Sequence, residues 1–151
     1  MICPNIPTEF LVGCKYYQGT RSPNNAEREA TGYSTAWLHH KGRNKHHYEY
    51  WIDYSIVPGE GIVGQKMPVK YVYEMFMDRI AASKTYLGDK YTDKEPLQYY
   101  EKGAAKLGKM IHPATAALIH KLLKMLAEKG ERATFKYVRE QVRELKRQNM
   151  I

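Results

Sequence analysis

The sequence predicts a mainly α-helical, single-domain bundle (residues 1–151) with one small β-hairpin insert at about 52–66. Three observations carry that prediction. Apolar residues recur at helical spacing through most of the chain, as in Val69, Val72, Phe76 and Ile80, which places them on one face of a 3.6-residue repeat. Glycine and proline fall between these segments as stops and starts. The one β-branched stretch, Ile52-Asp53-Tyr54-Ser55-Ile56-Val57, is followed by Pro58-Gly59-Glu60-Gly61 and then Ile62-Val63, the pattern of two short strands around a turn.

Taken in order, Thr8 caps a first helix to about Tyr17, with Phe10, Cys14 and Tyr17 as its apolar stripe and Gly19 as its stop. Ser22-Pro23 pairs an N-cap with proline at the first helical position, and the polar helix it opens runs to Thr31-Gly32. Tyr33-Ser34 restarts a helix bearing Ala36, Trp37 and His40. Beyond the hairpin, which could serve as a lid or seal the core, Pro68 opens a helix to about Leu87 with Val69, Val72, Tyr73, Phe76 and Ile80 on its apolar face. Asp93-Lys94-Glu95-Pro96 begins the next, bearing Leu97, Tyr100, Ala104 and Leu107 and ended by Gly108. His112-Pro113 precedes a helix over Ala114 to Lys129 with Ala117, Leu118, Leu122, Met125 and Leu126 as core, and His120 falls on its flank. Gly130 breaks it, and a last helix, about Glu131 to Gln148, packs Phe135, Val138, Val142 and Leu145.

A chain of 151 residues buries about 68–70% of its unfolded surface when compact, enough for a core. Its 43% hydrophobic and 26% charged residues are those of a soluble globular protein. No apolar run approaches the roughly 20 residues of a membrane span, and the first residues lack the basic-then-apolar pattern of a secretory signal. Two cysteines, Cys3 and Cys14, predict no disulfide framework and a cytoplasmic location. The net charge of +8 favours nucleic acid, phosphorylated metabolites or acidic proteins as partners. From residue 102 to the end, twelve Lys and Arg stand against four Glu, so the basic surface belongs to the C-terminal helices. A run of this kind reads either as a solvated helix face or as a nucleic-acid contact.

Chemistry concentrates in residues 37–51, which hold His39, His40, His46 and His47 and both tryptophans. Imidazoles are the commonest metal ligands, and Arg43, Asn44 and Lys45 between them suit a phosphate or another anion. On one continuous helix, histidines seven apart are separated by about 10.5 Å, too far for one ion whose ligand nitrogens lie at about 2.0–2.1 Å. A shared zinc, manganese or nickel ion therefore requires a bend near Gly42 to Asn44, or ligands from elsewhere. The same block also reads as a basic, aromatic-rich helix pair whose histidines bond to the backbone or lie in solvent. Glu74 and Asp78 are four apart, so both carboxylates share a helix face and can reach one ion or one protonated base, or simply pair with a cation.

The run from Arg21-Ser22-Pro23-Asn24 through Trp37-Leu38-His39-His40 to His46-His47-Tyr48-Glu49-Tyr50-Trp51, with Met67-Pro68 and Tyr71-Val72-x-Glu74-Met75-x-x-Asp78, resembles a family of bacterial and phage proteins of unknown function. The resemblance covers most of residues 7–125. The helical layout and scattered His and Asp positions are also similar to those of HD-type metal-dependent phosphohydrolases. That second resemblance implies a phosphohydrolase-like site for a phosphorylated small molecule. His40, His47 and Asp78 would be its ligands, Glu74 a general base and Arg43 and Lys45 the phosphate holders. The first resemblance implies a His-Asp-x-Ser-Lys segment before Ile6-Pro7-Thr8-Glu9-Phe10, which this sequence lacks; if that pair supplies ligands as in an HD-type site, the expectation is a shortened member with an incomplete site. The rival expectation is a non-enzymatic binding module that uses the basic helices.

Overall fold

The computed structural model describes residues 14–15 and 22–151. The expected first helix over Thr8 to Tyr17 lies almost wholly outside them. Cys14 is disulfide-bonded, against the expectation from composition. The described chain contains five α-helices and a two-stranded antiparallel hairpin, and divides into two compact units, Met1–Lys45 and His46–Ile151.

The described part of the first unit holds α1 (Pro23–Thr31) and α2 (Thr35–Arg43). Ser22 caps α1 by accepting from the Asn25 backbone N–H, and Ser34 caps α2 by accepting from that of Trp37, so both starts read from sequence are present. The connection between the helices is held by Glu27, which is 97% buried. Its carboxylate accepts from the Ser34 hydroxyl at 2.5 Å, the Thr35 hydroxyl at 2.7 Å and the Thr35 N–H at 3.0 Å. Burial pushes this carboxyl up, but these bonds and one from the Ala36 backbone outweigh it and hold Glu27 below its ordinary value. A carboxylate at the N-terminus of α2 also meets the positive end of that helix.

The second unit opens with a turn of 3-10 helix, Tyr48–Trp51, and the hairpin of β1 (Ile52–Tyr54) and β2 (Ile62–Gly64), in register Ile52 to Gly64, Asp53 to Val63 and Tyr54 to Ile62. The first strand is shorter than expected. After Tyr54 the chain turns, with Ser55 N–H donating to Gly61 C=O and Glu60 N–H to Val57 C=O. Ile56 is fully exposed and Tyr54 is 75% exposed, so the tip faces solvent, while β2 lies against the Gly108–Met110 turn. That approach is close: a Cβ on Gly64 would stand 2.4 Å from the Met110 carbonyl oxygen.

Three helices follow: α3 (Val69–Leu87), α4 (Glu95–Leu107) and α5 (Pro113–Arg147). Pro68 takes the N-cap position of α3, and the His112 ring caps α5 by accepting from the Ala114 N–H at 3.1 Å. The core is Met67, Val72, Met75, Phe76 and Ile80 against Ile119, Leu122, Leu123 and Leu126, with Phe76 meeting Phe135 edge to face at 6.4 Å between centroids. On α5 the inward face is rotated from the expected one. Leu122 and Leu126 are buried as predicted, but Ile119 and Leu123 join them and Ala117 is exposed. Alanine is apolar enough to read as core yet small enough to sit on a surface at little cost. Gly130 interrupts α5 with φ 77° and ψ 172°, a region essentially closed to residues with a Cβ. Beyond that kink Thr134 and Val138 are buried.

Candidate metal centre

The histidine block is a helix followed by a bend. Helix α2 continues through Gly42, which stays helical, and ends at Arg43. The turn begins at Asn44, whose backbone is extended at φ −112° and ψ 109°. The bend thus falls at Asn44, inside the expected stretch Gly42 to Asn44. Asn44 leaves the helix and its side chain closes the end, with Nδ2 donating to the His40 carbonyl at 2.7 Å and lying 3.3 Å from His40 Nδ1. Asn44, expected to hold substrate, closes the helix end and lies beside the His40 ring.

His40, His46 and His47 each offer a ring nitrogen, and these atoms all lie within 4.8 Å of one another. The three fall within eight consecutive residues, so their grouping is a local property of the chain running out of α2. The His46 and His47 rings are 4.4 Å apart between centroids. His40 lies 5.9 Å from the Trp37 ring, itself covered by the Arg28 guanidinium at 5.9 Å. His47 is 9% exposed and N-caps the Tyr48–Trp51 turn. An ion with nitrogen ligands at about 2.0–2.1 Å in tetrahedral geometry sets those nitrogens about 3.4 Å apart. Nitrogens within 4.8 Å of one another leave at most roughly 1.4 Å to be closed, a distance within reach of side-chain rotation.

Of the other predicted site residues, His39, Glu74 and Asp78 are not in this group. His39 is exposed, and its Nε2 accepts from the Arg43 guanidinium at 3.1 Å, which occupies that nitrogen and ties Arg43 to the helix surface. Lys45 is exposed. Glu74 and Asp78 share a face of α3 as their spacing requires, but both are exposed, because Val72, Tyr73, Phe76 and Ile80 take the inward face. Neither belongs to a set of three or more candidate metal ligands among the described residues.

This arrangement sits in a chain of defined kinship. The model of a family of unknown function matches residues 6–125, well over half of the sequence. The chain belongs to DUF5662. No curated protein and no solved structure matches it. The DUF5662 match takes in both capped helices, the histidine block, the hairpin, α3, α4 and the start of α5, and ends before the Gly130 kink.

Sequence reasoning missed two polar clusters in this DUF5662 chain. One is Glu27 with Ser34 and Thr35. The other surrounds Tyr48: burial, reinforced by the charge and hydrogen bond of Glu49, pushes its phenol up to about 12 against the opposing pull of Arg79. Glu49 Oε2 and Arg79 Nε are both buried without a hydrogen-bond partner. The only signal for the second cluster was a glutamate directly after the histidine block, and nothing in the spacing tied it to Arg79.

Proposed function

We propose that His40, His46 and His47 bind one divalent transition-metal ion, zinc, manganese or nickel, and that this centre is what the histidine block does. The observation that carries the reading is the convergence of three imidazole nitrogens within 4.8 Å. Three neutral imidazoles are the ligand number of hydrolytic metal sites that keep a fourth position open. A metal held so supplies Lewis acidity toward a phosphoryl or carbonyl oxygen. Asn44 orients His40 beside the ion, and Arg43 and Lys45 give the turn the positive charge that suits a phosphorylated small molecule.

Calorimetric titration of the whole chain with zinc, manganese and nickel tests the site. His40→Ala and His47→Ala should each weaken binding at least tenfold with the far-ultraviolet circular dichroism unchanged. Asp78→Ala and His120→Ala should leave it within twofold. Parent protein that binds none of the three ions at about 100 μM would show that the histidines are polar packing.

A second reading rests on the exposed Arg139, Arg143 and Lys146 of α5, which place part of the C-terminal charge surplus in solvent. We propose it as a polyanion-binding face. Affinity for a DNA or RNA oligomer should then fall steeply with salt, since each neutralised phosphate releases counterion. Reversing those three charges should remove it.

A further inference from the structure

His120, read from the sequence as a flank residue, stands between two adjoining depressions of the second unit. One, of about 350 Å³, is lined by Tyr100, Glu101, Ala104, Ala116, Ala117 and His120. The other, of about 470 Å³, continues along α5 past Lys121, Lys124 and Met125 to Lys129. Ala117 and His120 belong to both, so the two form one trough, with volumes in the range of small-molecule sites. The alanines of α4 and α5 explain it, because small side chains leave the space between neighbouring helices unfilled.

The trough has a built polar centre. His120 Nε2 lies 3.0 Å from Glu101 Oε1, with the imidazole 41% exposed. A carboxylate only accepts, so Nε2 carries the proton and Nδ1 is the accepting nitrogen of the neutral ring. Tyr100 lies beside the imidazole at 5.8 Å between centroids and 30° between planes, and the Arg79 guanidinium lies over the same Tyr100 ring at 5.5 Å. The imidazole is thus held on one edge by a carboxylate and beside one face by an aromatic ring. Lys124 stands exposed about 6 Å further along the helix. Lys121 is drawn onto Tyr137, its Nζ 2.9 Å from the hydroxyl.

We propose that this trough binds a phosphate monoester carrying a flat apolar body and a hydroxyl, as a nucleoside monophosphate does. The flat body lies on the Ala104, Ala116 and Ala117 floor, a hydroxyl donates to His120 Nδ1, and the phosphate meets Lys124 with Lys129 beyond it. Glu101 is a positioning residue that fixes the tautomer of His120. The site is separate from the three-histidine group and does not depend on a metal there.

The test is calorimetric titration of the full chain with adenosine monophosphate, adenosine and inorganic phosphate in EDTA, which removes any metal from the histidine block. The imidazole C2–H resonances are followed in parallel. Adenosine monophosphate should bind at least ten times tighter than phosphate or adenosine alone and shift the resonance that His120→Gln removes. Lys124→Gln and His120→Gln should each weaken it fivefold or more with melting temperatures unchanged, and Lys66→Gln, at an exposed position outside the trough, should not. Glu101→Gln should weaken binding and alter the His120 resonance before ligand is added. No binding at about 5 mM, binding indifferent to Lys124→Gln and His120→Gln, or equal loss in Lys66→Gln, which marks attraction to the chain's positive charge as a whole, would each overturn the proposal.

Discussion

Replacing Gly64 and Gly103 by alanine should move stability in opposite directions, although neither substitution differs from the other in the sequence. At Gly64 the new methyl would lie 2.4 Å from the Met110 carbonyl oxygen, 2.7 Å from its carbonyl carbon and 2.9 Å from His112 N. Ordinary contact begins at about 3.5 Å, so β2 and the backbone after Gly108 must separate by roughly 1 Å. All three obstacles are backbone atoms and cannot rotate away. Overpacking of this kind costs about 1–3 kcal/mol, occasionally more. Gly103 lies inside α4 with nothing within 4 Å of its virtual Cβ, so alanine removes only the entropic penalty of helical glycine, about 0.5–1 kcal/mol. At about 2–4 °C per kcal/mol for a chain of this size, Gly64→Ala should melt roughly 2–12 °C lower and Gly103→Ala about 1–4 °C higher. Scanning calorimetry decides it. Gly64→Ala melting at or above the parent would mean that the hairpin does not rest on the Gly108–Met110 turn.

Other substitutions probe the core and the polar clusters. Phe76→Ala and Leu122→Ala, both at fully buried positions, should cost about 3–5 and 2–5 kcal/mol in chemical melts; less than about 0.5 kcal/mol would put them on the surface. Glu27→Gln should cost about 2–3 kcal/mol at pH 7, since hydrogen bonds to a charged group contribute about 1.5–3 kcal/mol each. Because folding lowers this carboxyl from its ordinary 4.5, its contribution is full above that value and lost as pH falls through the folded one. The gap between parent and variant should therefore close in acid, and a gap independent of pH would refute the account. Tyr48 titrates at about 12, so its neutral phenol stabilises the fold below its ordinary 10, and this contribution is lost as pH rises through 12. In a spectrophotometric titration, the phenol step that Tyr48→Phe removes should come at lower pH in Glu49→Gln.

Much of the helical layout was readable because its signals are local. Ser22-Pro23, Ser34, Pro68, Gly108 and Gly130 mark ends by capping chemistry or backbone restriction, and each operates within a few residues. The hairpin was readable for the same reason, apart from the length of its first strand. Less of the candidate site was legible. The histidines could be found by composition, but which three converge depends on the backbone at Asn44, and spacing could only require a bend somewhere near it. Glu74 and Asp78 were correctly placed on one face, yet their exposure follows from how α3 is rotated against α5. That rotation is fixed by contacts such as Phe76 with Phe135, 59 positions apart. Glu27 escaped notice because a buried carboxylate and an exposed one are the same letter.

The kink at Gly130 lies just beyond the residues that the family model matches, 6–125. There the helix changes direction and carries Arg139, Arg143 and Lys146 on its exposed side. Thr134 and Val138 are buried, so this stretch is integrated into the core and cannot be removed as a loose appendage. A partner recognised through those cations would meet a surface outside the matched residues 6–125, whereas one recognised through the histidine block would meet a surface inside them.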